Sequence, residues 1–256
     1  MAEPVRCFLL EPTHMAMVTL RRYRSSNDGG AECPGPMSYH DATSGIIAIV
    51  DATFARHVWD AAAGTWQELD QVTGSVPDFT RDDSWVHITR SQHDEIPHED
   101  PRWPTSCAGC GYEFEVEDPW QGNYDLMYRR NDITPDMQHP DLMTLRQAPP
   151  GAMWWAWWIG KSRRPQVGAH PVVVRLPNGT DWMPDAQASN CGKRKDGGDG
   201  TDPDYRNHHC WILHGTPPDL TADKNGVTCT AGAGLILSGN GAAQWHGFLR
   251  NGYLTN

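Results

Sequence analysis

Glycine and proline interrupt this chain so often that long helices have little room. The 256 residues include 25 glycines and 20 prolines, and both residue types weaken or break a helix interior. Short strands and loops are therefore expected to dominate. The sequence predicts a mainly β fold with long loops and a minor α+β component of short helices. Short antiparallel hairpins are expected to surround a zinc-knuckle module.

Several short segments carry strand and turn signals. Residues 54–59 and 65–69 are strand-like and flank a loop at 60–64, which predicts a hairpin with a longer connection. Asn178-Gly179 and Asn251-Gly252 each separate two strand-like runs, and Asn-Gly accepts the positive φ angles of a type I′ turn. Residues 112–117 alternate apolar and acidic side chains, which predicts a strand with one buried face.

The charge balance bears on the partners of the protein. Lysine and arginine total 21 against 32 aspartates and glutamates, so the formal charge of −11 would repel a nucleic-acid backbone. No apolar run approaches the roughly 20 residues of a membrane span, and the first residues lack the features of a secretory signal. We expect protein partners, no membrane and no nucleic acid.

The chain is expected to contain a β-rich N-terminal segment over residues 1–100 and a Trp- and Cys-rich zinc-binding module over 101–256, with a single domain as the alternative. Synthesis in a reducing cytoplasm is expected. In that compartment cysteines are more often metal ligands or core thiols than disulfides. The seven cysteines are an odd number, so at least one would stay outside any pairing.

Cys107-Ala108-Gly109-Cys110-Gly111 has the spacing of half a zinc site. Two residues between the cysteines, followed by glycine, let both sulfurs face one tetrahedral ion. The other two ligands must then come from elsewhere in the chain. Two unrelated core thiols are the alternative explanation of the motif.

Two pairs of residues compete for the remaining zinc positions. Cys191 and Cys210 bracket a polar loop, so a metal that joined them would restrain a long excursion of the chain. Cys229 and His246 lie in the apolar, glycine-rich C-terminal segment, which is expected to pack near the Cys-x-x-Cys motif. The predicted cofactor is a structural Zn²⁺, and the choice between the pairs stays open.

Two other patterns have weaker functional interpretations. His93 and Glu95 before the cysteine pair imitate the motif order of zinc-dependent nucleobase deaminases. However, only eleven residues separate Glu95 from Cys107, and the intervening prolines would break the helix that this chemistry needs.

The four tryptophans within residues 154–158 could stack on sugars or bases. A strand that is buried on both faces is the better explanation, because alternate side chains of a strand point to opposite faces.

Five short segments of the C-terminal half form a recognisable set: ASNC at 188–191, HCWILHG at 209–215, PPDLT at 217–221, TCTAGAG at 228–234 and WHGFLRNG at 245–252. In these segments the chain resembles a group of uncharacterised proteins of tailed bacteriophages, many of which infect actinobacteria. The likeness covers mainly residues 103–256, and the chain end is also similar to the DUF6527 family, which pairs a Cys-rich knuckle with a later Cys-x-x-His.

The resemblance implies a viral origin and a metal-stabilised fold, and it brings no established activity. It implies that Cys107, Cys110 and His246 are ligand positions. The cysteine expected three residues before the histidine is Ala243 in this chain, so Cys229 becomes the natural substitute.

Two classes of function remain open from the sequence. In the first, the protein is a non-enzymatic phage component, either a virion accessory protein or a cytoplasmic factor that binds a host protein. In the second, it is a hydrolase-like enzyme that depends on a metal or a cysteine, with Cys229, His246 and His214 near one another. The absence of a coherent catalytic set favours the first class, which would place the protein in the host cytoplasm or in the virion.

Overall fold

The computed structural model describes residues 3–25, 39–79, 84–91, 96–97, 99–133, 141–159, 165–186, 209–224, 245 and 247–256. These residues form strands joined by turns and loops, and their one helical element is a single 3-10 turn, Leu145–Gln147. The mainly β fold with antiparallel hairpins that the glycine and proline content predicts is therefore confirmed.

Seventeen strands are present in the described part of the chain. In chain order they are β1 (Val5–Arg6), β2 (Phe8–Ser25), β3 (Tyr39–Thr43), β4 (Ala48–Asp51), β5 (Thr53–Asp60), β6 (Thr65–Thr73), β7 (Trp85–His87), β8 (Arg90–Ser91), β9 (Trp120–Arg130), β10 (Leu142–Met143), β11 (Ala152–Trp155), β12 (Val172–Arg175), β13 (Asp181–Trp182), β14 (Trp211–His214), β15 (Thr221–Lys224), β16 (Phe248–Arg250) and β17 (Tyr253–Thr255).

The chain divides into two compact units, each assembled from separate stretches of sequence. The first unit contains Met1–Glu11, Asp78–Asp83 and Tyr128–Asn256, and the second contains Pro12–Pro77 and Ser84–Met127. The Cys107-x-x-Cys110 motif belongs to the second unit. The sequence-based division into residues 1–100 and 101–256 stays a prediction.

The first unit is built around tryptophans and branched aliphatic residues. The start of β2 pairs in parallel with β11, which pairs with β12 and then β13 in antiparallel fashion. Among the described residues, two smaller sheets, β1-β17-β16 and β14-β15, also belong to this unit. Its buried cluster consists of Cys7, Met153, Val172, Val174, Leu176, Trp182, Cys210, Trp211, Leu213, Leu220, Trp245, Leu249 and Leu254.

The tryptophan-rich run contributes mainly to the interior of this first unit. Trp154 and Trp157 are buried, and Trp155 is partly buried against the apolar cluster. Trp157 also stacks on Phe79, with ring centroids 4.2 Å apart. Only Trp158 of the run is largely exposed. A packing role therefore accounts for three of the four tryptophans.

The second unit contains the longer part of β2, which pairs with β3 and β4 in antiparallel fashion. The first part of β9 pairs with β8. A separate sheet has the order β6-β5-β7, and its two long strands form the hairpin that residues 54–69 predict. The connection at the tip is Ala61-Ala62-Ala63-Gly64, where Gly64 adopts a φ of 66°.

The two Asn-Gly sequences both form hairpin turns, but of different types. Asn251 and Gly252 have φ angles of 46° and 73°, as the predicted type I′ turn requires. At the other site only Gly179 has a positive φ, and its amide donates to the carbonyl of Leu176. Pro177 explains the difference, because its fixed φ sets a type I turn that a left-handed glycine then closes.

Candidate metal centre

Strand β3 supplies the first side chain of the site. His40 pairs with Arg24 of β2 and is almost completely buried. The next residue, Asp41, forms a two-point ion pair with Arg21, in which both N–O distances are 2.8 Å. The strand pairing and this ion pair therefore hold the backbone of β3 in place at the histidine.

The knuckle, residues 105–114 between β8 and β9, supplies two more side chains. The amide of Cys107 donates to the carbonyl of Tyr112 at 2.7 Å, and the amide of Gly111 donates to the carbonyl of Cys107 at 2.9 Å. Gly111 has a φ of 75°, a conformation that a side chain would strain. This tight reversal directs both sulfurs to one side, as the spacing of the motif predicts.

Backbone hydrogen bonds attach the knuckle to β3. The amide of Ala108 donates to the carbonyl of Asp41 at 3.2 Å. In the opposite direction, the amide of Asp41 lies 3.4 Å from the sulfur of Cys107, as does the amide of Gly109. The Cys107 sulfur is thus surrounded by N–H donors that favour negative charge on it.

His40, Cys107 and Cys110 form a group of three possible metal ligands. One donor atom from each residue lies within 4.8 Å of the other two, and Nδ1 of His40 is 3.2 Å from the Cys110 sulfur. In a tetrahedral zinc site, neighbouring N and S ligand atoms lie about 3.5–3.8 Å apart. The donors therefore need only small shifts to bind one ion.

The electrostatic environment favours the thiolate of Cys107. Burial alone would raise the pKa of this thiol. Hydrogen bonds from the backbone amides of Asp41 and Gly109 oppose that effect, with further contributions from Cys110, and the pKa is lowered to about 6. A thiolate is the form that binds a metal. The lowered pKa of Cys107 therefore favours the metal-binding form of this residue.

Residues around the donors orient the histidine. The ring of Tyr112 stacks on His40 with centroids 4.3 Å apart and an interplanar angle of 16°. The Tyr112 hydroxyl accepts a hydrogen bond from Arg24 and lies 3.4 Å from the buried carboxylate of Asp118. Nη1 of Arg24 also lies 3.4 Å from Oδ1 of Asp118. Such supporting contacts fix the direction of a metal-ligating imidazole.

The predicted strand over residues 112–117 is wrong. The segment forms one isolated bridge, between Ser106 and Glu113, and then turns back. Asp118 explains the turn, because its carboxylate accepts from the amide of Glu115 at 2.8 Å. Val116, which the alternating pattern would bury, is 69% exposed. A local side-chain hydrogen bond thus prevails over the alternation of apolar residues.

Among the described residues, the group of possible ligands contains His40, Cys107 and Cys110. The other ligands predicted from the sequence lie elsewhere in the chain. Cys191, Cys229 and His246 lie outside the described residues, so their roles stay predictions. Cys210 is described, and it is buried in the apolar cluster of the first unit. His214 lies on the surface, with Nε2 3.1 Å from a carboxylate oxygen of Asp223.

His40 is the candidate ligand that sequence reasoning missed. It lies 67 positions before Cys107, far from the cysteines and histidines that the sequence patterns indicate as ligands. No local motif marks it, because the ligands that complete a Cys-x-x-Cys site can come from any neighbouring strand. The pairing of β3 with β2 brings it to the site, and pairing between distant strands is not encoded in a short pattern.

Comparisons with known proteins add no relative: no protein-family description, no curated protein and no solved structure matches the chain. The resemblance to phage proteins therefore stays a prediction. Within the part of the chain that the structure describes, no helix has the length and hydropathy needed to cross a membrane.

Proposed function

We propose that this chain is a metal-stabilised protein in which one zinc ion, held by His40, Cys107 and Cys110, has an architectural role. The observation that carries the proposal is the convergence of three donor atoms within 4.8 Å from two distant parts of the sequence. The knuckle has only a bridge and turns of its own. A metal that joins it to β3 would close a long loop of the chain.

The donor set favours zinc over the other common cations. Two thiolates and an imidazole suit Zn²⁺, whereas Mg²⁺ and Ca²⁺ prefer carboxylate, carbonyl and water oxygens. A structural site is closed by four protein ligands, and a catalytic site keeps one position for water. Our proposal of an architectural role therefore requires a fourth protein ligand in addition to these three residues.

The zinc proposal is tested by the metal content of protein purified without added metal. We expect about one equivalent of zinc to survive dialysis of the parent protein, and a large loss of zinc in His40→Ala. His57→Ala is the matched control, because it removes a strand histidine that pairs with Glu68 and belongs to none of the candidate ligand sets. A parent protein without bound zinc, or equal zinc in His40→Ala and the control, would contradict the proposal.

For the biological role, we propose a non-enzymatic phage protein that serves as a virion accessory protein. The support is the sequence resemblance of residues 103–256 and the acidic charge of −11. Mass spectrometry of purified phage particles tests this role. Stoichiometric copies in the particle are expected, and their absence would favour a cytoplasmic factor that binds a host protein.

A metal- or cysteine-dependent enzyme is the alternative, and it makes a different prediction about the zinc. Spectroscopy of the zinc-loaded protein would then find three protein ligands and one exchangeable water, with hydrolysis of a suitable ester or amide. Four protein ligands and no such activity would remove that alternative.

A further inference from the structure

The hairpin β5–β6 and the residues next to it expose an unusual amount of apolar surface. Among the described residues, eight of the thirteen large hydrophobic side chains that are exposed lie between residues 46 and 76. Trp66 is 67% exposed, Leu69 is 53% exposed and Trp59 is 50% exposed. Four of the eight, Val58, Trp59, Trp66 and Leu69, lie on the hairpin itself. Single exposed apolar residues are ordinary, but a concentration of them in one hairpin is typical of an interaction surface.

The two tryptophans form one contact surface near the tip of the hairpin. Trp59 and Trp66 are directly opposite each other in the strand register, with ring centroids 5.5 Å apart in an edge-to-face arrangement. His57 lies two residues before Trp59 and pairs with Glu68, so this pair lies on the same face. An aromatic surface is therefore bordered directly by a carboxylate.

Strand β6 is also an edge strand in the sheet that the described residues form. The strand order is β6-β5-β7, and eight of the nine residues of β6 are exposed. One row of its backbone N–H and C=O groups is therefore available to pair with another strand. The register of β6 on β5 shifts between Arg56 and His57, so a bulge at Leu69 interrupts this edge. The exposed stretch on the tip side of the bulge still suits strand addition by a partner.

The charges around the edge select the kind of partner. Asp60, Glu68 and Asp70 lie on the hairpin with Arg56 as the single arginine. Two copies that paired along β6 would bring these acidic side chains close together, and each whole chain carries −11. Like charges close together across a strand pair are destabilising. A second copy is therefore disfavoured, and a cationic segment is favoured.

We propose that the hairpin β5–β6 is a docking site for an extended segment of a partner protein that is rich in lysine or arginine. The segment would add to the edge of β6 through backbone hydrogen bonds. Its cationic side chains would contact the faces of Trp59 and Trp66 and pair with Glu68 and Asp70. This proposal does not depend on zinc binding or on the role proposed above.

The test uses the full-length protein and a labelled peptide of alternating lysine and valine, with a glutamate-valine peptide for comparison. We expect the lysine peptide alone to bind, and its affinity to fall with added salt. The double substitution Trp59→Thr with Trp66→Thr should weaken binding by about tenfold or more. Glu68→Gln with Asp70→Asn should weaken it by a smaller factor and reduce the salt dependence.

Trp158→Thr is the matched control, since Trp158 is an exposed tryptophan of the first unit. It should leave peptide affinity within about twofold of the parent. The carboxylate variants alter exposed side chains, so they test the proposal even if the tryptophan variant folds poorly. Equal binding of both peptides, equal losses in the control, self-association through Trp66, or binding to zwitterionic vesicles in place of the peptide would each overturn the proposal.

Discussion

The apolar cluster of the first unit and the knuckle of the second unit are held together by different forces. The cluster buries tryptophans and branched aliphatic residues, including Val174 and Leu176, almost completely. The knuckle buries Cys107, but leaves Cys110 exposed and relies on hydrogen bonds to β3. Stability that comes from buried area does not depend on metal, whereas a segment with so little buried area needs its ligands to be bound.

Metal removal should have the largest effect on stability, and the effect should be confined to the knuckle. Zinc binding in small sites contributes ~10 kcal/mol of folding free energy. After chelation we therefore expect the amides of Cys107, Gly111 and Phe114 to lose most of their protection from hydrogen exchange. The amides of Cys7 and Leu176 in the first unit should remain protected. Equal loss in both regions, measured by exchange and mass spectrometry, would remove the proposed distinction.

A substitution that creates a cavity in the apolar cluster tests the stability of the first unit. Leu176 is 1% exposed, and truncation of such a buried leucine to alanine costs ~2–5 kcal/mol. We expect Leu176→Ala to lower the free energy of unfolding by this amount with zinc bound or removed. Leu69→Ala, at a 53% exposed position, is the control and should change it by less than ~0.5 kcal/mol. A loss at Leu176 that appears only without zinc would contradict independence from the metal.

The acid sensitivity of the second unit should depend on His87 as well as on the metal. Burial lowers the pKa of His87 to about 4, from an ordinary value of 6.5. Between these values the unfolded chain binds the proton and the folded chain does not, so stability falls as the pH falls from 6.5 to 4. The loss should reach ~2–3 kcal/mol near pH 4.

Urea unfolding of the parent and of His87→Phe, both with chelator present, measures the contribution of His87. The substituted ring can still pack against Phe54, whose ring centroid lies 5.4 Å from that of His87. The variant should lose less stability than the parent over the same pH range. Identical pH dependence in both proteins would show that His87 does not cause the effect.

The smallest expected effect concerns the support of the knuckle. Tyr112→Phe keeps a ring that can stack on His40 but removes the hydroxyl that accepts from Arg24 and approaches Asp118. We expect a loss of ~0.5–1.5 kcal/mol in unfolding free energy and weaker zinc binding. Tyr253→Phe, at an exposed tyrosine of the first unit, is the control. Equal effects of the two substitutions would contradict a supporting role for Tyr112.

Local features of the fold were predictable from the sequence where local chemistry decides the structure. The hairpin at residues 54–69 and the type I′ turn at Asn251-Gly252 follow from short patterns. The turn type at Asn178-Gly179 did not, because the preceding proline restricts the backbone. Residues 112–117 also departed from prediction, since Asp118 captures the amide of Glu115.

The candidate site was only half predictable for a related reason. The Cys-x-x-Cys spacing is a local signal, so Cys107 and Cys110 could be recognised as a possible pair of ligands. His40 reaches them through the register of β3 on β2, which depends on contacts between distant segments. A single sequence contains no short pattern that reports such a register.

The most direct test of the central claim is X-ray absorption spectroscopy of the zinc-loaded protein at the zinc edge. The account predicts two sulfur ligands at ~2.3 Å and at least one imidazole nitrogen at ~2.0–2.1 Å. The imidazole signal should decrease in His40→Ala, and one sulfur should disappear in Cys110→Ser. A zinc environment of oxygen and nitrogen without sulfur, or a spectrum that neither substitution changes, would contradict it.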